Sequence, residues 1–201
     1  MNKIKFEDKY ITPSKVICVG RNYVEHIKEL NNEVPDEIVL FIKPNSAICS
    51  KIYKPKDLCR FEAEICFIVE SGEIVGAGIG FDLTLVNQQE KAKRKGLPWE
   101  KAKAFDKSAV LSEFKKINSW ESLRLELYIN DELRQIADIN LMINKPDVLL
   151  QEIKKYFSLE NGDIIMTGTP KGVGFFEKGD RFFARLFNQN MLLIEKLWIV
   201  E

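Results

Sequence analysis

The run from Arg60 to Val86, RFEAEICFIVESGEIVGAGIGFDLTLV, constrains this chain more than any other stretch. Its apolar, β-branched and aromatic composition predicts two strands, 60–70 and 74–86, joined by a tight turn at Ser71-Gly72-Glu73. Besides Glu70 and Glu73 beside the turn, three acids interrupt it: Glu62, Glu64 and Asp82. Residues two apart in a strand share a face, so both glutamates project one way while Phe61, Ala63 and Ile65 project the other. An edge strand whose glutamates meet solvent and Arg60 satisfies that pattern. So does a buried pair that needs a cation, because two carboxylates left unpaired inside a protein are strongly disfavoured. Asp82, lone in GIGFDLTLV, is either a turn residue or a third member of the same cluster. Adjacent strands would bring it opposite the pair. Three carboxylates suit a hard divalent ion, Mg2+ or Mn2+, with positions open to a chelating ligand.

The rest of the chain builds a β-dominated α+β protein. KVICVG and VLFIKP read as short strands, the second stopped by Pro44. NYVEHIKEL between them reads as a helix, with Tyr23, Ile27 and Leu30 on one face. LRLELYINDELRQIA alternates, with Leu123, Leu125, Leu127 and Ile129 facing one way and Asn130-Asp131 supplying a hairpin turn. Helices are expected at 22–31, 88–105 and 146–157. They do not alternate regularly with strands, which argues against a doubly wound parallel sheet. At 201 residues, without repeats or a Pro/Gly/Ser-rich linker, one catalytic domain over 1–201 is expected. Thirty basic and thirty acidic residues cancel, giving no push toward nucleic acid or an anionic membrane. No apolar run approaches a membrane span, and MNKIKFEDKYITPSK is too polar for a signal-peptide core. Cys18, Cys49, Cys59 and Cys66 lack CxxC spacing and read as reduced packing residues of a cytoplasmic protein.

Further chemistry is concentrated in three places. The sole histidine, His26, is followed at i+3 by Glu29, close enough on a helix for the carboxylate to fix the tautomer and raise basicity. An ordinary surface His/Glu pair has the same spacing. KAKRKGLPWEKAKAFDK is basic and punctuated at Gly96-Leu97-Pro98, as a lid drawing in an anion would be, or a solvated charged helix. TGTPKGVG (167–174) lacks the Gly-Lys-Ser/Thr and the following helix of a P-loop. GAGIGF has Phe81 where a dinucleotide fingerprint needs glycine, so neither is a nucleotide site. The first still offers exposed amides, with the Thr167 and Thr169 hydroxyls, to hold a carboxylate.

Taken together, VGRNY, LFIKPNSAI, FEAEICFIVE, GFDLTLVNQQ, KRKGLPWEKAKAF, NDELRQ and TGTPKGVG resemble the fumarylacetoacetate hydrolase family across nearly the whole chain. The likeness is greatest to its small acylpyruvase-type members. That resemblance implies a mixed β-sheet roll of the family's C-terminal domain type, usually a homodimer. It implies Mg2+ or Mn2+ on Glu62, Glu64 and Asp82, a water-activating dyad at His26 and Glu29, and a lid lysine at Lys103. It places Arg21, Tyr23, Gln89 and Thr169 beside a small 2-oxo or dicarbonyl acid substrate. The implied reaction is hydrolysis of a C–C bond in an acylpyruvate through a metal-stabilised enolate. Oxaloacetate decarboxylation, or isomerisation or hydration of a 2-oxo acid, are alternatives on the same centre. Two departures stand out. Val86 and Asn87 replace the Arg-Asp common after the third acid, and Arg60-Phe61 stand where acylpyruvases often carry histidine.

Overall fold

The computed structural model describes residues 1–31 and 33–201. In chain order it contains β1 (Ile4–Phe6), β2 (Lys9–Ile11), β3 (Lys15–Gly20), α1 (Val24–Glu29), β4 (Val39–Pro44) and β5 (Ile48–Cys49). Next come β6 (Cys59–Phe61), β7 (Ala63–Glu70), β8 (Glu73–Asp82), β9 (Thr84–Leu85), α2 (Val86–Lys95) and α3 (Glu100–Lys103). The remainder is β10 (Ala109–Lys116), β11 (Leu123–Ile129), β12 (Glu132–Asp138), α4 (Pro146–Tyr156), β13 (Ile164–Met166), β14 (Gly174–Phe175), β15 (Arg181–Asn188) and β16 (Met191–Ile199).

The main sheet runs β2-β1-β10-β8-β7-β13-β3-β4, with β5 on β10. It is mixed: β13 is parallel to β3, and β1 and β5 are parallel to β10, while the other pairs are antiparallel. A four-stranded antiparallel sheet, β12-β11-β15-β16, packs on one face of it. There Ile65, Phe67 and Val69 of β7 and Ile79 and Phe81 of β8 meet Leu123, Leu125, Leu127, Ala184 and Leu186. Phe182 sits at the centre, with Phe61, Phe81 and Phe176 edge-on at 5.3, 5.5 and 5.8 Å.

The other face of β7 carries Glu64, Cys66 and Ile68, and it too is buried, because the main sheet curls back over it. Glycines at alternate positions of β8 permit that curl. A Cβ at Gly80 would lie 2.4 Å from Cys66 Sγ, and one at Gly78 2.8 Å from the Phe114 ring. Both hairpin turns have two residues with positive φ, Ser71-Gly72 (51° and 76°) and Asn130-Asp131 (52° and 70°). This is the twist-matched turn type for a two-residue loop.

Four boundaries depart from the sequence expectation, among them the strand 74–86, which divides after Asp82 into β8 and β9 in different sheets. The run 60–70 is not one strand. β6 leaves the main sheet to pair with β9 and β14, and β7 begins only after Glu62. The helix expected over 88–105 is two, separated at Gly96–Trp99, with Gly96 in the left-handed region as the C-cap of α2. α1 is a short helix of 24–29, since Arg21 (φ 58°) and Asn31 (φ 51°) bracket it with turn conformations.

Candidate metal centre and proton-transfer dyad

Glu62, Glu64 and Asp82 converge. Each offers an oxygen within 4.8 Å of the others', and all three are buried. The convergence follows from register: Glu64 pairs with Gly80, and Asp82 donates its amide to Glu62 O at 2.9 Å. The acids therefore occupy the curled face at one end of β7 and β8. An exposed edge strand is thereby ruled out, and so is a turn role for Asp82.

Buried lysines, not solvent, answer most of this charge. Lys103 Nζ lies 2.8 Å from Glu62 Oε2, 2.6 Å from Asp82 Oδ2 and 2.7 Å from Thr84 Oγ1. Lys43, fully buried, sits 2.9 Å from Asp82 Oδ1, an ion-pair distance without hydrogen-bond alignment, and donates to Ser108 Oγ and the Lys103 carbonyl. Arg60 donates Nε and Nη2 to Glu62 Oε1 at 3.1 and 2.8 Å, and Nη2 also to Gln89 Oε1 at 3.2 Å. Burial alone would raise the Glu62 carboxyl, but Lys103 and Arg60 outweigh it and hold it well below the usual range. Burial would likewise depress Lys103, yet Asp82 and Glu62 keep it charged.

Glu64 is the exception. It accepts from one backbone amide, Gly168 N–H, at 2.8 Å. Burial and the facing Asp82 push its carboxyl well above the ordinary range. Charge in excess of its donors, on hard oxygens facing two more carboxylates, is the chemistry that a divalent cation completes, so these residues fit Mg2+ or Mn2+.

His26 is buried, and its Nδ1 lies 3.2 Å from Glu29 Oε2. Burial lowers its pKa, with Glu62 and Glu29 partly offsetting the effect, so the ring is neutral at pH 7. With Nδ1–H directed to Glu29, Nε2 is the basic nitrogen. Glu29 in turn accepts from Gly172 N–H at 2.9 Å.

The loop 167–174 thus holds carboxylates as its amides suggested, but they are the protein's own, Glu64 and Glu29, rather than a ligand's. Gly168 at φ 96° allows this approach, with a Cβ there falling 2.9 Å from Asn22 Cβ. Thr167 and Thr169 donate their hydroxyls to Ile65 O and Ala63 O.

The acids, His26, Lys103, Gln89, Arg21 and Thr169 line one narrow cavity of about 50 Å3, together with Arg60, Lys93, Trp99 and Phe41. Tyr23 stands apart, since its ring packs in the core and its hydroxyl is buried among the described residues without a hydrogen-bond partner. Val86 and Asn87 are not among the cavity residues. Sequence reasoning missed Lys43, whose signal was a lysine inside the apolar VLFIKP, and Gln135. Gln135 Oε1 accepts from Ala63 N at 3.0 Å, and its Nε2 donates to Thr169 Oγ1 and Pro170 O at 2.9 Å each.

Against known proteins, the family model for the fumarylacetoacetate hydrolase C-terminal domain matches residues 15–192. Oxaloacetate tautomerase YcgM of Escherichia coli (strain K12) is 41% identical over 187 residues, 83% of this chain and 85% of that protein. A crystal structure from Oleispira antarctica, provisionally described as a fumarylacetoacetate isomerase/hydrolase, superposes with a TM-score of 0.94 at 34% identity and covers 100% of both chains. Fumarylpyruvate hydrolase from Pseudomonas aeruginosa, solved with Mn2+ and pyruvate, superposes at 0.89 with 25% identity, covering 99% of this chain and 95% of that one.

Proposed function

Because the chain belongs to the fumarylacetoacetate hydrolase family, we propose that it is a divalent-metal-dependent enzyme interconverting the keto and enol forms of oxaloacetate. The observation that carries this reading is the cavity in which three buried carboxylates meet a neutral imidazole held by its own carboxylate. The likeness to YcgM, itself an oxaloacetate tautomerase, supplies the substrate. Isomerisation is one of the alternatives that the family resemblance implies, beside oxaloacetate decarboxylation and hydration of a 2-oxo acid, and it is favoured here over C–C hydrolysis.

Tautomerisation moves one proton between C3 and the 2-oxo oxygen. A single base that accepts and returns it is sufficient, and His26 Nε2 takes that role while Glu29 keeps Nδ1 protonated. Glu62, Glu64 and Asp82 would hold Mg2+ or Mn2+, which when bound would supply Lewis acidity toward the 2-oxo group. Lys103 keeps positive charge where the enolate develops, and Gln89 and Arg21 orient the acid. Thr169 belongs to the cavity wall, and Tyr23 supports α1 from the core side.

Hydrolysis of an acylpyruvate is the second reading. A His-Glu dyad also activates water, and the fumarylpyruvate hydrolase neighbour supports it. The deciding experiment assays oxaloacetate tautomerisation and decarboxylation, and acetylpyruvate and fumarylpyruvate hydrolysis, side by side with Mg2+ and Mn2+. Hydrolysis faster than tautomerisation sinks the first reading. His26→Ala should lower tautomerisation by about 10²- to 10⁴-fold while Mn2+ affinity is retained. Full activity in that variant removes His26 from the mechanism.

The working unit proposed is one catalytic domain in a cytoplasmic homodimer. Free cysteines are compatible with that compartment, and among the described residues no helix is long and apolar enough to cross a membrane. The outer face of β12-β11-β15-β16 supports the dimer. By register, Tyr128, Phe183 and Leu197 line up across it, beside Ile136, Glu126, Arg185 and Glu195. Such a patch of aromatic and aliphatic side chains around Arg185 suits a second copy of the chain.

A further inference from the structure

One wall of the cavity is cationic in a way that proton transfer does not require. Arg60, Gln89 and Lys93 all line it. Gln89 and Lys93 are four residues apart on α2, hence on the same face one turn apart. Arg60, from β6, reaches across to Gln89 while its own side chain is only 12% exposed. Gln89 Oε1 is engaged by that guanidinium, so what its amide still offers a ligand is its NH2 group.

The wall is crowded with like charge. Lys93 is depressed first by partial burial and then by Arg21, Arg60 and Lys103, with Glu62 as the opposing influence. Across the site, Arg60, Lys103 and Lys43 pair with Glu62 and Asp82, and Lys93 adds a further positive charge at the rim. A divalent ion on the acids would add to that charge, and a ligand with one carboxylate would leave most of it unanswered. Positive charge that exceeds the anions of a concave site marks where an anionic ligand goes.

We propose that Arg60, Gln89 and Lys93 form a subsite for a second carboxylate, so that the centre selects short 2-oxo acids carrying a carboxylate at each end over those with a neutral acyl tail. Arg60, whose Nε and Nη2 serve Glu62 and Gln89, turns Nη1 to that carboxylate as a charged donor, Gln89 adds a neutral N–H, and Lys93 closes the rim as a point charge. The subsite deepens the oxaloacetate reading and rests on it for the assignment of the other end of the ligand to the acid cluster.

The test is calorimetry on Mn2+-loaded protein with two ligands that share a 2-oxo-carboxylate end. One is 3,3-difluorooxaloacetate, a dianion with no hydrogen at C3 to lose, and the other is pyruvate, a monoanion. Wild-type protein is expected to prefer the dianion by about tenfold or more. Lys93→Gln, at an exposed helix position where folding is undisturbed, is expected to weaken the dianion by about 3- to 10-fold and pyruvate by less than about twofold, with Lys93→Arg restoring the preference. Equal or undetectable binding of the two ligands by wild-type protein overturns the subsite, as does an equal loss, or no loss, for both in Lys93→Gln. Tautomerisation assayed in parallel separates the two readings. A dianion preference that depends on Lys93, without tautomerase turnover, leaves the subsite standing and removes the proposed reaction. Turnover without that preference does the reverse.

Discussion

Replacing Glu64 with Gln removes a buried acid whose ionisation is disfavoured by burial and by the facing Asp82, and which accepts the Gly168 amide. The metal-free variant should therefore melt at or above the wild-type temperature, while the stabilisation that Mn2+ gives wild-type protein disappears. A scanning-calorimetry pair with and without Mn2+ checks both halves, and a variant still stabilised by Mn2+ would remove Glu64 from the ion's ligands. Asp163 behaves oppositely. Fully buried, it accepts from Ser14, Glu160 and Lys15, the last through an ammonium at 2.5 Å. Burial would raise its carboxyl, but these donors outweigh that and hold it below the ordinary value. With a folded pKa below the unfolded one, its stabilisation is present above about pH 4 and is lost as pH falls through the folded value. Asp163→Asn should cost about 2 kcal/mol near neutrality and flatten the acid limb of urea-denaturation stability against pH. At this scale the acids were legible because carboxylates in apolar strands are out of place, and His26-Glu29 because their spacing is helical. Lys43 was not, since a lysine before Pro44 looks like the end of a strand, and only the fold brings Asp82 to it.

The break between β6 and β7 is the element-scale feature on which the centre depends. The Ala63 amide bonds Gln135 Oε1 instead of a neighbouring strand, and Gln135 ties the same point to Thr169 and Pro170. The β11–β12 hairpin thereby fixes both the strand bearing Glu64 and the loop whose Gly168 amide holds it. Gln135→Leu leaves the Ala63 amide and the Thr169 hydroxyl short of partners in the interior. It should cost about 2–4 kcal/mol by urea denaturation and weaken Mn2+ binding, and an unchanged Mn2+ affinity would confine Gln135 to a packing role. The hairpin itself was readable from its alternation and its Asn130-Asp131 turn. The change of sheet at Glu62 was not, because composition is equally apolar on both sides and the amide that interrupts the ladder lies 72 residues away in sequence.

For the whole molecule, the alternation of residues 123–137 foretold a sheet with one buried face, and β15 and β16 extend it into the patch proposed to meet a second copy. Phe183→Asp, at the centre of that patch, should shift sedimentation from dimer to monomer with the ellipticity of the fold preserved. A monomeric wild-type protein would withdraw the assignment. The curl of the main sheet was hidden, because the glycines of GAGIG point to it only once their neighbours are seen. The consequence of one further feature reaches across the molecule. Five residues, 168–172, grip both the imidazole's anchor and one arm of the ion cradle. The proposed base and the proposed ion would thus be geared to a single spindle, with neither adjustable alone. Divergence toward new substrates in such a chain must therefore be written at the cavity rim, leaving the hub as it is.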